Sequence, residues 1–300
     1  MFKKNYMKFA LVVVAVFALT LAGCTNDVEN GGEEAVRSIG EQLDYTITGI
    51  DAGAGVVRSA EQAVEDYGLN YTVQSSSGAA MTQALSDAIA NEEPIIVTGW
   101  NPHWKFAAYD LKYLDDPKGS FGESENINSI ARLGLSEDMP EAYQILDNFF
   151  WEGSDMEDVM IQVNNGEEPE DVARQWVDEN QDKVAEWVEG VDAVDGVEIN
   201  LAYVAWDSEI ASTNVIGTVL SDMGYDVSLT QVENGPMWEA VASGQTDAIV
   251  AAWLPGTHGD HYDKYEGEFD DLGPNLEGAK IGLVVPAYMD IDSIEDLIED

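Results

Sequence analysis

The stretch from Ala248 to His258 reads AIVAAWLPGTH, and it predicts both a strand and a ligand site. Its apolar run follows a turn and is interrupted by Pro255 and Gly256, a pattern typical of a short buried strand. Trp253 stands at the carboxyl end of that strand, and His258 follows shortly after it. In open α/β sheets, ligands bind outside the carboxyl ends of the strands. The stretch therefore predicts a binding edge in an α/β protein.

Two other segments repeat this arrangement. Residues 94–100 read PIIVTGW, and residues 199–206 read INLAYVAW. Three predicted strands thus end at Trp100, Trp206 and Trp253. A single such tryptophan is more often a core residue, but three at strand ends predict an aromatic cage. Because the face of a tryptophan ring attracts cations, the cage suits a quaternary ammonium group, which has no N–H to donate.

The chain contains two copies of a βαβαβ pattern, one at residues 45–100 and one at residues 199–253. This pattern predicts parallel strands joined by right-handed crossovers. Two such α/β halves around a shared cleft are the plan of a two-lobed binding protein. Between them, residues 140–190 predict added helices at 141–150, 156–163 and 169–187, whose tryptophans are interpreted as packing residues.

The N-terminal segment has the features of an export signal. Residues 1–8 carry three lysines, and residues 9–21 form an apolar run that is short for a membrane span. Residues 21–24 read LAGC, which resembles the bacterial lipobox. This predicts a signal peptide at 1–23, with Cys24 as a lipidated first residue that anchors the mature protein to the membrane. An uncleaved anchor is the alternative. Cys24 is the only cysteine, so no intramolecular disulfide forms.

The predicted domain boundaries follow from the repeat. A polar, glycine-containing tether occupies residues 24–43. Lobe I comprises residues 44–118 plus 275–300, and lobe II comprises residues 119–274. The crossings between the lobes are predicted in the turn-rich segments at 117–119 and 273–275.

The chain is strongly acidic, with 13 Lys+Arg and 58 Asp+Glu among 300 residues. Residues 1–23 hold three of the lysines and none of the acids, so the rest carries 10 basic and 58 acidic residues, a net charge of −48. Such a field argues against nucleic-acid binding, which needs a basic surface, and it repels anionic substrates. The acids are spread along the chain, as in an extracytoplasmic domain adapted to high salt.

A second subsite is predicted at the glycine-rich turn of residues 51–55. Gly55 and Val56 lie where the next helix begins, and free N–H groups at a helix start can hold a carboxylate. His258 is a further donor for the same carboxylate. The alternative interpretation of this region is a metal site formed by His258, Asp260 and His261, although only three histidines occur in the chain. No cofactor is predicted.

The sequence contains no arrangement of residues typical of catalysis. It lacks a Gly-x-Ser-x-Gly elbow, a phosphate-binding P-loop and a candidate cysteine nucleophile. We therefore expect a binding protein and not an enzyme.

Several segments resemble the glycine betaine-binding lipoproteins of osmoprotectant ABC transporters. The likeness covers nearly all of residues 44–298, and it is carried by collinear strings: TGWNPHW at 98–104, LKYLDDP at 111–117, LAYVAWDSEIASTN at 201–214, GPMW at 235–238 and AWLP at 252–255.

The resemblance implies a two-lobed periplasmic-binding-protein fold (type II-like), with a site for trimethylammonium carboxylates between the lobes. Trp100, Trp206 and Trp253 would form the cage, while backbone N–H groups near Gly55 and Val56, with His258, would hold the carboxylate. It further implies an extracytoplasmic protein that delivers glycine betaine, and also proline betaine, to the permease of an ABC importer. The alternatives are a choline- or carnitine-binding protein or a metal-binding lipoprotein.

Overall fold

A computed structural model describes residues 37–299 of the chain. The predicted signal peptide, the lipidated Cys24 and the tether up to residue 36 lie outside the described residues. The last part of the predicted tether forms a short helix, α1 (Ile39–Gln42). Ser38 and Glu41 each accept the other's backbone N–H, which is the capping-box arrangement. The tether prediction therefore extends too far toward the C-terminus.

The first βαβαβ unit forms as the sequence predicts. It consists of β1 (Thr46–Thr48), α2 (Gly55–Tyr67), β2 (Thr72–Gln74), α3 (Gly78–Ala90) and β3 (Val97–Asn101), followed by α4 (Lys105–Ala108) and β4 (Leu111–Tyr113). β1 pairs in parallel with both β2 and β3. Val57, Ala60 and Ala63 recur at helical spacing on α2 and are fully buried, so this face of the helix covers the sheet.

The middle of the chain is mainly helical. It contains β5 (Glu125–Arg132), α5 (Leu135–Asp138), α6 (Pro140–Asn148), α7 (Gly153–Asn164), α8 (Pro169–Glu179) and α9 (Gln181–Trp187). The single helix predicted at 169–187 is wrong, because Asn180 leaves the helical conformation with φ −117° and ψ 36°. Its backbone N–H and its side-chain amide both donate to the Trp176 carbonyl, at 3.0 and 2.8 Å, and α8 ends there. The Trp176 and Trp187 rings stack with centroids 5.8 Å apart, which agrees with the packing role predicted for them.

The second βαβαβ unit has the same order of elements. It consists of β6 (Val197–Tyr203), α10 (Asp207–Asp222), β7 (Tyr225–Gln231), α11 (Asn234–Ala242) and β8 (Ala248–Leu254), followed by α12 (Gly259–Lys264). β6 pairs in parallel with β7 and with β8. The two predicted units are therefore built alike.

One long strand, β9 (Phe269–Pro286), connects the two units, and the 3₁₀ helix Ile294–Leu297 follows it. Up to Ala279 this strand pairs antiparallel with β5, and from Lys280 it pairs antiparallel with β3, and later with β4. The strand order is β2-β1-β3-β9-β5-β8-β6-β7, so the two parallel units stand in mirrored order on either side of the β9–β5 pair. The α/β, two-lobed fold is thereby confirmed. We call β1–β4 with the end of β9 the first half, and β5–β8 with the start of β9 the second half.

The antiparallel strands β5 and β9 were absent from the predicted parallel sheet. Gly273 and Gly278 on β9 have φ values of +87° and +78°, and the first of them belongs to the segment 273–275 predicted as a turn. In the structure the β9–β5 pairing is interrupted by register shifts, one of which skips Gly278, and the strand continues through them. The passage between halves lies at Ala279–Lys280, a few residues beyond the crossing predicted at 273–275.

Among residues 37–299, none of the helices combines the length and the apolar character that a membrane span requires.

Candidate ligand-binding site

The three predicted cage tryptophans lie around one cavity. Trp100 is the fourth residue of β3, Trp253 lies one residue before the end of β8, and Trp206 is the N-cap residue of α10 just after β6. Their exposed fractions are only 4%, 4% and 7%. The space that these residues surround, with the open solvent at its mouth included, amounts to about 320 Å³.

All six predicted site residues line this cavity. The lining residues come from both halves and are Ile50, Ala54, Gly55, Val56, Trp100 and Ile281 from the first half and Trp206, Ser208, Trp253, Thr257 and His258 from the second. The surface is almost entirely apolar apart from a few polar groups. The structure thus brings together residues that lie as far apart in sequence as Gly55 and His258.

The start of α2 provides two free backbone donors. Ala54 is the N-cap residue, and its own N–H donates to the Asp51 carbonyl at 2.9 Å. The next two N–H groups, of Gly55 and Val56, precede the first helical hydrogen bond and find no acceptor within residues 37–299. Because both residues line the cavity, this end of the helix presents an anion-binding pair of N–H groups to it.

Gly55 also lies at a close contact between the halves. A Cβ atom at this position would stand 2.3 Å from the Thr257 carbonyl oxygen, which no real side chain tolerates. The start of α2 can therefore approach the 257–258 segment only because residue 55 is glycine.

His258 contributes a side-chain donor. Its Nδ1 atom accepts the Trp253 backbone N–H at 3.1 Å, so the proton of the neutral imidazole resides on Nε2. Nε2 has no partner within residues 37–299, although the side chain is fully buried. Burial lowers the pKa of His258 to about 3, and it is therefore a neutral N–H donor at physiological pH.

The segment that carries His258 is held by a carboxylate that sequence reasoning missed. Glu125, the first residue of β5, accepts hydrogen bonds from the Thr257 N–H at 3.0 Å and from its hydroxyl at 2.8 Å. Arg58 from the first half donates to the Thr257 carbonyl at 3.1 Å. Since Glu125 precedes Thr257 by 132 residues, no local pattern in the sequence could have identified it.

Two charged residues lie just behind the cage. Lys105 is fully buried, and its Nζ atom stands 4.3 Å from the centroid of the Trp100 ring. Burial lowers the pKa of Lys105 to about 7, while Asp207, across the gap between the halves, opposes this shift. Burial also lowers the pKa of His103, to about 4. These groups were not predicted as site residues, although His103 and Asp207 lie within the strings that carry the family resemblance and Lys105 directly follows one of them.

The alternative metal site does not assemble. His258 faces the cavity, whereas the Asp260 carboxylate is 86% exposed and stands 3.8 Å from Arg58. The His261 ring stacks on Trp238, with centroids 6.1 Å apart. Among the residues that the structure describes, no group of three or more histidine, cysteine or acidic side chains could hold a metal ion.

Comparisons with known proteins agree with this geometry. A family model described as the substrate binding domain of ABC-type glycine betaine transport system matches residues 24–179 and 197–300. The glycine betaine/carnitine transport binding protein GbuC of Listeria monocytogenes serotype 1/2a (strain 10403S) is 54% identical over 289 residues, which are 95% of this chain and 96% of the relative.

Two solved structures are also similar. Lactococcal OpuAC, in a closed-liganded conformation complexed with glycine betaine, is 44% identical over 52% of this chain and 64% of its own, with a TM-score of 0.46. The glycine betaine/L-proline-binding protein ProX of Borrelia burgdorferi is 36% identical over 50% of this chain and 58% of its own, with a TM-score of 0.47. In both cases the match spans less than two thirds of the solved chain.

Proposed function

This chain belongs to the family of substrate-binding domains of ABC-type glycine betaine transport systems, and on that premise we propose that it binds glycine betaine in the cavity lined by Trp100, Trp206 and Trp253. Membership in the family makes it a transport binding protein and not an enzyme. It is the extracytoplasmic component that hands its ligand to the permease of an ABC importer.

The observation that carries the proposal is the division of the cavity into two chemically distinct ends. Three tryptophan rings suit a trimethylammonium group, and each face contributes roughly 0.5–2 kcal/mol, most when the cation is desolvated. The free N–H groups of Gly55 and Val56 and the neutral His258 Nε2–H suit a carboxylate. A ligand that carries both groups and no net charge also avoids repulsion by the acidic protein.

Carnitine is a second candidate, because the Listeria relative is named for both glycine betaine and carnitine. It carries the same trimethylammonium and carboxylate groups and makes the same demands on the site. Proline betaine also has a carboxylate and a quaternary ammonium group, but its nitrogen carries two methyl groups and belongs to the pyrrolidine ring. Choline lacks the carboxylate and would leave the donors at Gly55, Val56 and His258 unpaired, so we expect it to bind much more weakly.

Calorimetric titration of the purified protein in high-salt buffer tests the proposal. Glycine betaine should bind with one site per chain, and choline should compete poorly with it. A folded sample that binds no betaine under these conditions would contradict the proposed function.

We also propose that the two halves, divided on β9 at Ala279–Lys280 and not at the predicted boundary 274/275, act as two lobes that close around the ligand. Support comes from the cavity, whose lining residues belong to both halves, so the site is complete only when they approach. Small-angle scattering should give a smaller radius of gyration with saturating glycine betaine than without it. An unchanged radius would indicate a cleft that is closed beforehand.

A lipid anchor on Cys24 is the remaining part of the proposal. It rests on the lipobox-like LAGC at residues 21–24, and the family match begins at residue 24, where the mature protein would start. In the membrane-extracted protein, the peptide that begins at Cys24 should carry a lipid moiety by mass spectrometry. Cys24→Ala should release the protein from the membrane, and retention of that variant would contradict the anchor.

A further inference from the structure

Two carboxylates accept indole N–H groups across the gap between the halves. Trp206 Nε1, from the second half, donates to Asp51 Oδ2 in the first half at 3.0 Å. Trp104 Nε1, from the first half, donates to Asp207 Oδ1 in the second half at 3.2 Å. The two hydrogen bonds therefore run in opposite directions across the same gap.

The two carboxylates occupy equivalent places in the repeated fold. Asp51 lies between β1 and α2, and Asp207 is the first residue of α10, just beyond β6. β1 and β6 are each the first strand of a βαβαβ unit and hold mirrored positions in the sheet. The reciprocal pair is thus a consequence of two similar units facing each other.

We propose that Asp51 and Asp207 form a reciprocal clasp that positions the cage tryptophan Trp206 and holds the two halves together in the ligand-bound state. The inference rests on the proposed function and adds to it two positioning residues. Neither carboxylate lines the cavity, so both act through the indole groups and not on the ligand itself.

The surroundings of Asp207 keep it suited to this role. The His103 Nε2 atom lies 3.4 Å from Asp207 Oδ2, and the buried Lys105 ammonium is close enough to interact electrostatically. Burial alone would raise the pKa of Asp207, but His103, Trp104 and Lys105 outweigh it and keep the pKa below its ordinary value. The carboxylate is therefore ionised at neutral pH, and its bond to Trp104 is charge-assisted.

The same groups make separation of the halves costly. Lys105 is fully buried within the first half, and the carboxylate that interacts with it electrostatically, Asp207, belongs to the second half. Opening removes Asp207 from Lys105, His103 and Trp104 together, and it also removes Asp51 from Trp206. Both bonds can form only when the halves approach, so they favour the closed state over the open one.

On the cage side, the bond to Asp51 restricts the orientation of Trp206. An acceptor at the indole N–H fixes the rotation of the ring about its side-chain bonds and keeps it against the cavity. The bond therefore holds the Trp206 ring against the ligand once the halves have closed.

Isosteric variants test the clasp. Asp51→Asn and Asp207→Asn keep the shape of each side chain and remove its charge. Matched controls are Asp110→Asn in the first half and Asp192→Asn in the second, since both side chains are exposed and neither has a hydrogen-bond partner within residues 37–299. Each clasp variant should raise the calorimetric Kd for glycine betaine about tenfold, mainly through faster dissociation in stopped-flow measurements, and each control should stay within about twofold.

A double-mutant cycle separates the clasp from general damage. Trp104→Phe removes the donor but keeps an aromatic ring, and it should weaken binding as Asp207→Asn does. Combining the two should cost less than the sum of the separate losses, because the charge-assisted bond that Asp207→Asn weakens is already absent in Trp104→Phe. Full additivity of the two losses would contradict a direct Trp104–Asp207 bond.

The indole N–H resonances of ¹⁵N-tryptophan-labelled protein provide a signature that a merely structural effect would not reproduce. Trp104→Phe and Trp206→Phe assign the two signals, since each removes one of them. Asp207→Asn should then shift the Trp104 signal, and Asp51→Asn should shift the Trp206 signal, each from the opposite half. Spectra are recorded with and without glycine betaine. A wild type that binds no betaine contradicts the proposed function, whereas unmoved indole signals in both conditions overturn the clasp.

Discussion

Two loops of the molecule, residues 100–105 and 253–258, begin alike and end differently. Each starts with a cage tryptophan near the end of the third strand of its unit, and two residues later each has a proline preceded by a cis peptide bond. Each then carries a fully buried histidine, His103 or His258, whose Nδ1 atom accepts a backbone N–H. Up to this point the two loops have the same chemistry.

The difference is the length between the proline and the histidine. His103 follows its proline directly and stands beside Asp207 of the other half, whereas Gly256 and Thr257 come before His258, which lines the cavity. One buried neutral histidine therefore faces the interface and the other faces the candidate ligand. The comparison teaches that repeated units can supply similar residues for different tasks, and that a two-residue change in spacing accompanies the change of task.

Gly55→Ala should have the largest effect on ligand affinity, because Gly55 lies where the first half contacts the loop 253–258 of the second half. The added Cβ would stand 2.3 Å from the Thr257 carbonyl oxygen, so the start of α2 has to move away and take the free N–H groups with it. We expect about a hundredfold loss of glycine betaine affinity, as overpacking of a rigid contact costs roughly 1–3 kcal/mol and the donors are lost as well. Calorimetry measures the loss. Gly53→Ala, where a Cβ meets nothing within 4 Å, is the matched control, and equal effects at both positions would contradict the contact.

Trp100→Ala and Trp253→Ala compare the two loops at their equivalent positions. Removal of either ring takes one face from the cage and should weaken glycine betaine binding more than about tenfold, since a desolvated cation–π contact is worth up to about 2 kcal/mol. Tryptophan fluorescence or calorimetry gives the affinities. Trp187→Ala, in the added helices, should lower stability before it lowers affinity. If Trp187→Ala abolished binding while the two loop variants did not, the site would be misplaced.

His258→Ala and His103→Ala sharpen the difference between the loops. Loss of the His258 Nε2–H removes one donor to the ligand carboxylate, so glycine betaine affinity should fall about tenfold. Choline has no carboxylate, and its weak binding should stay unchanged. His103→Ala should reduce betaine affinity less, because that side chain contacts the interface and does not line the cavity. An unchanged betaine affinity in His258→Ala would show that the proposed pose is wrong.

The pH dependence of stability should reveal what the two histidines share. Both are buried and neutral, with pKa values lowered from 6.5 to about 4 for His103 and about 3 for His258. Below pH 6.5, the ordinary pKa of histidine, the unfolded state binds more protons than the folded state. The contribution of each histidine to the free energy of unfolding is therefore complete above pH 6.5, and it is lost as the pH falls toward the lowered pKa of that histidine in the folded protein. Each histidine should add a slope of about 1.4 kcal/mol per pH unit in that window.

Variants are needed to isolate this slope, because Glu209 acts in the opposite direction. Burial raises the pKa of Glu209 from 4.5 to about 8, so its contribution is lost as the pH rises through that range. Urea unfolding at several pH values should show a shallower slope below pH 6.5 for His103→Gln and for His258→Gln than for the wild type. Parallel curves for variant and wild type would contradict a buried neutral histidine.

The local features of this chain could be predicted because they depend on neighbours in sequence. Apolar runs ending in tryptophan located β3 and β8, and glycine and serine turns located the starts of α2 and α3. The six candidate site residues were chosen from such local strings, and in the structure they line one cavity. The longest helix prediction failed at Asn180, whose backbone leaves the helical conformation, a break that the apolar periodicity on either side does not reveal.

By itself the sequence determined the repeated α/β units, the acidic charge and the residue types of the cavity, since each of these follows from composition or short-range spacing. Only the tertiary structure decided that β9 crosses between the halves, that Glu125 holds the Thr257 segment, and that Asp51 and Asp207 face indole groups of the opposite half. The Asp51–Trp206 bond joins residues 155 apart, and the Trp104–Asp207 bond joins residues 103 apart. Contacts over such separations depend on how the two units pack against each other, and neither partner leaves a local pattern that names the other.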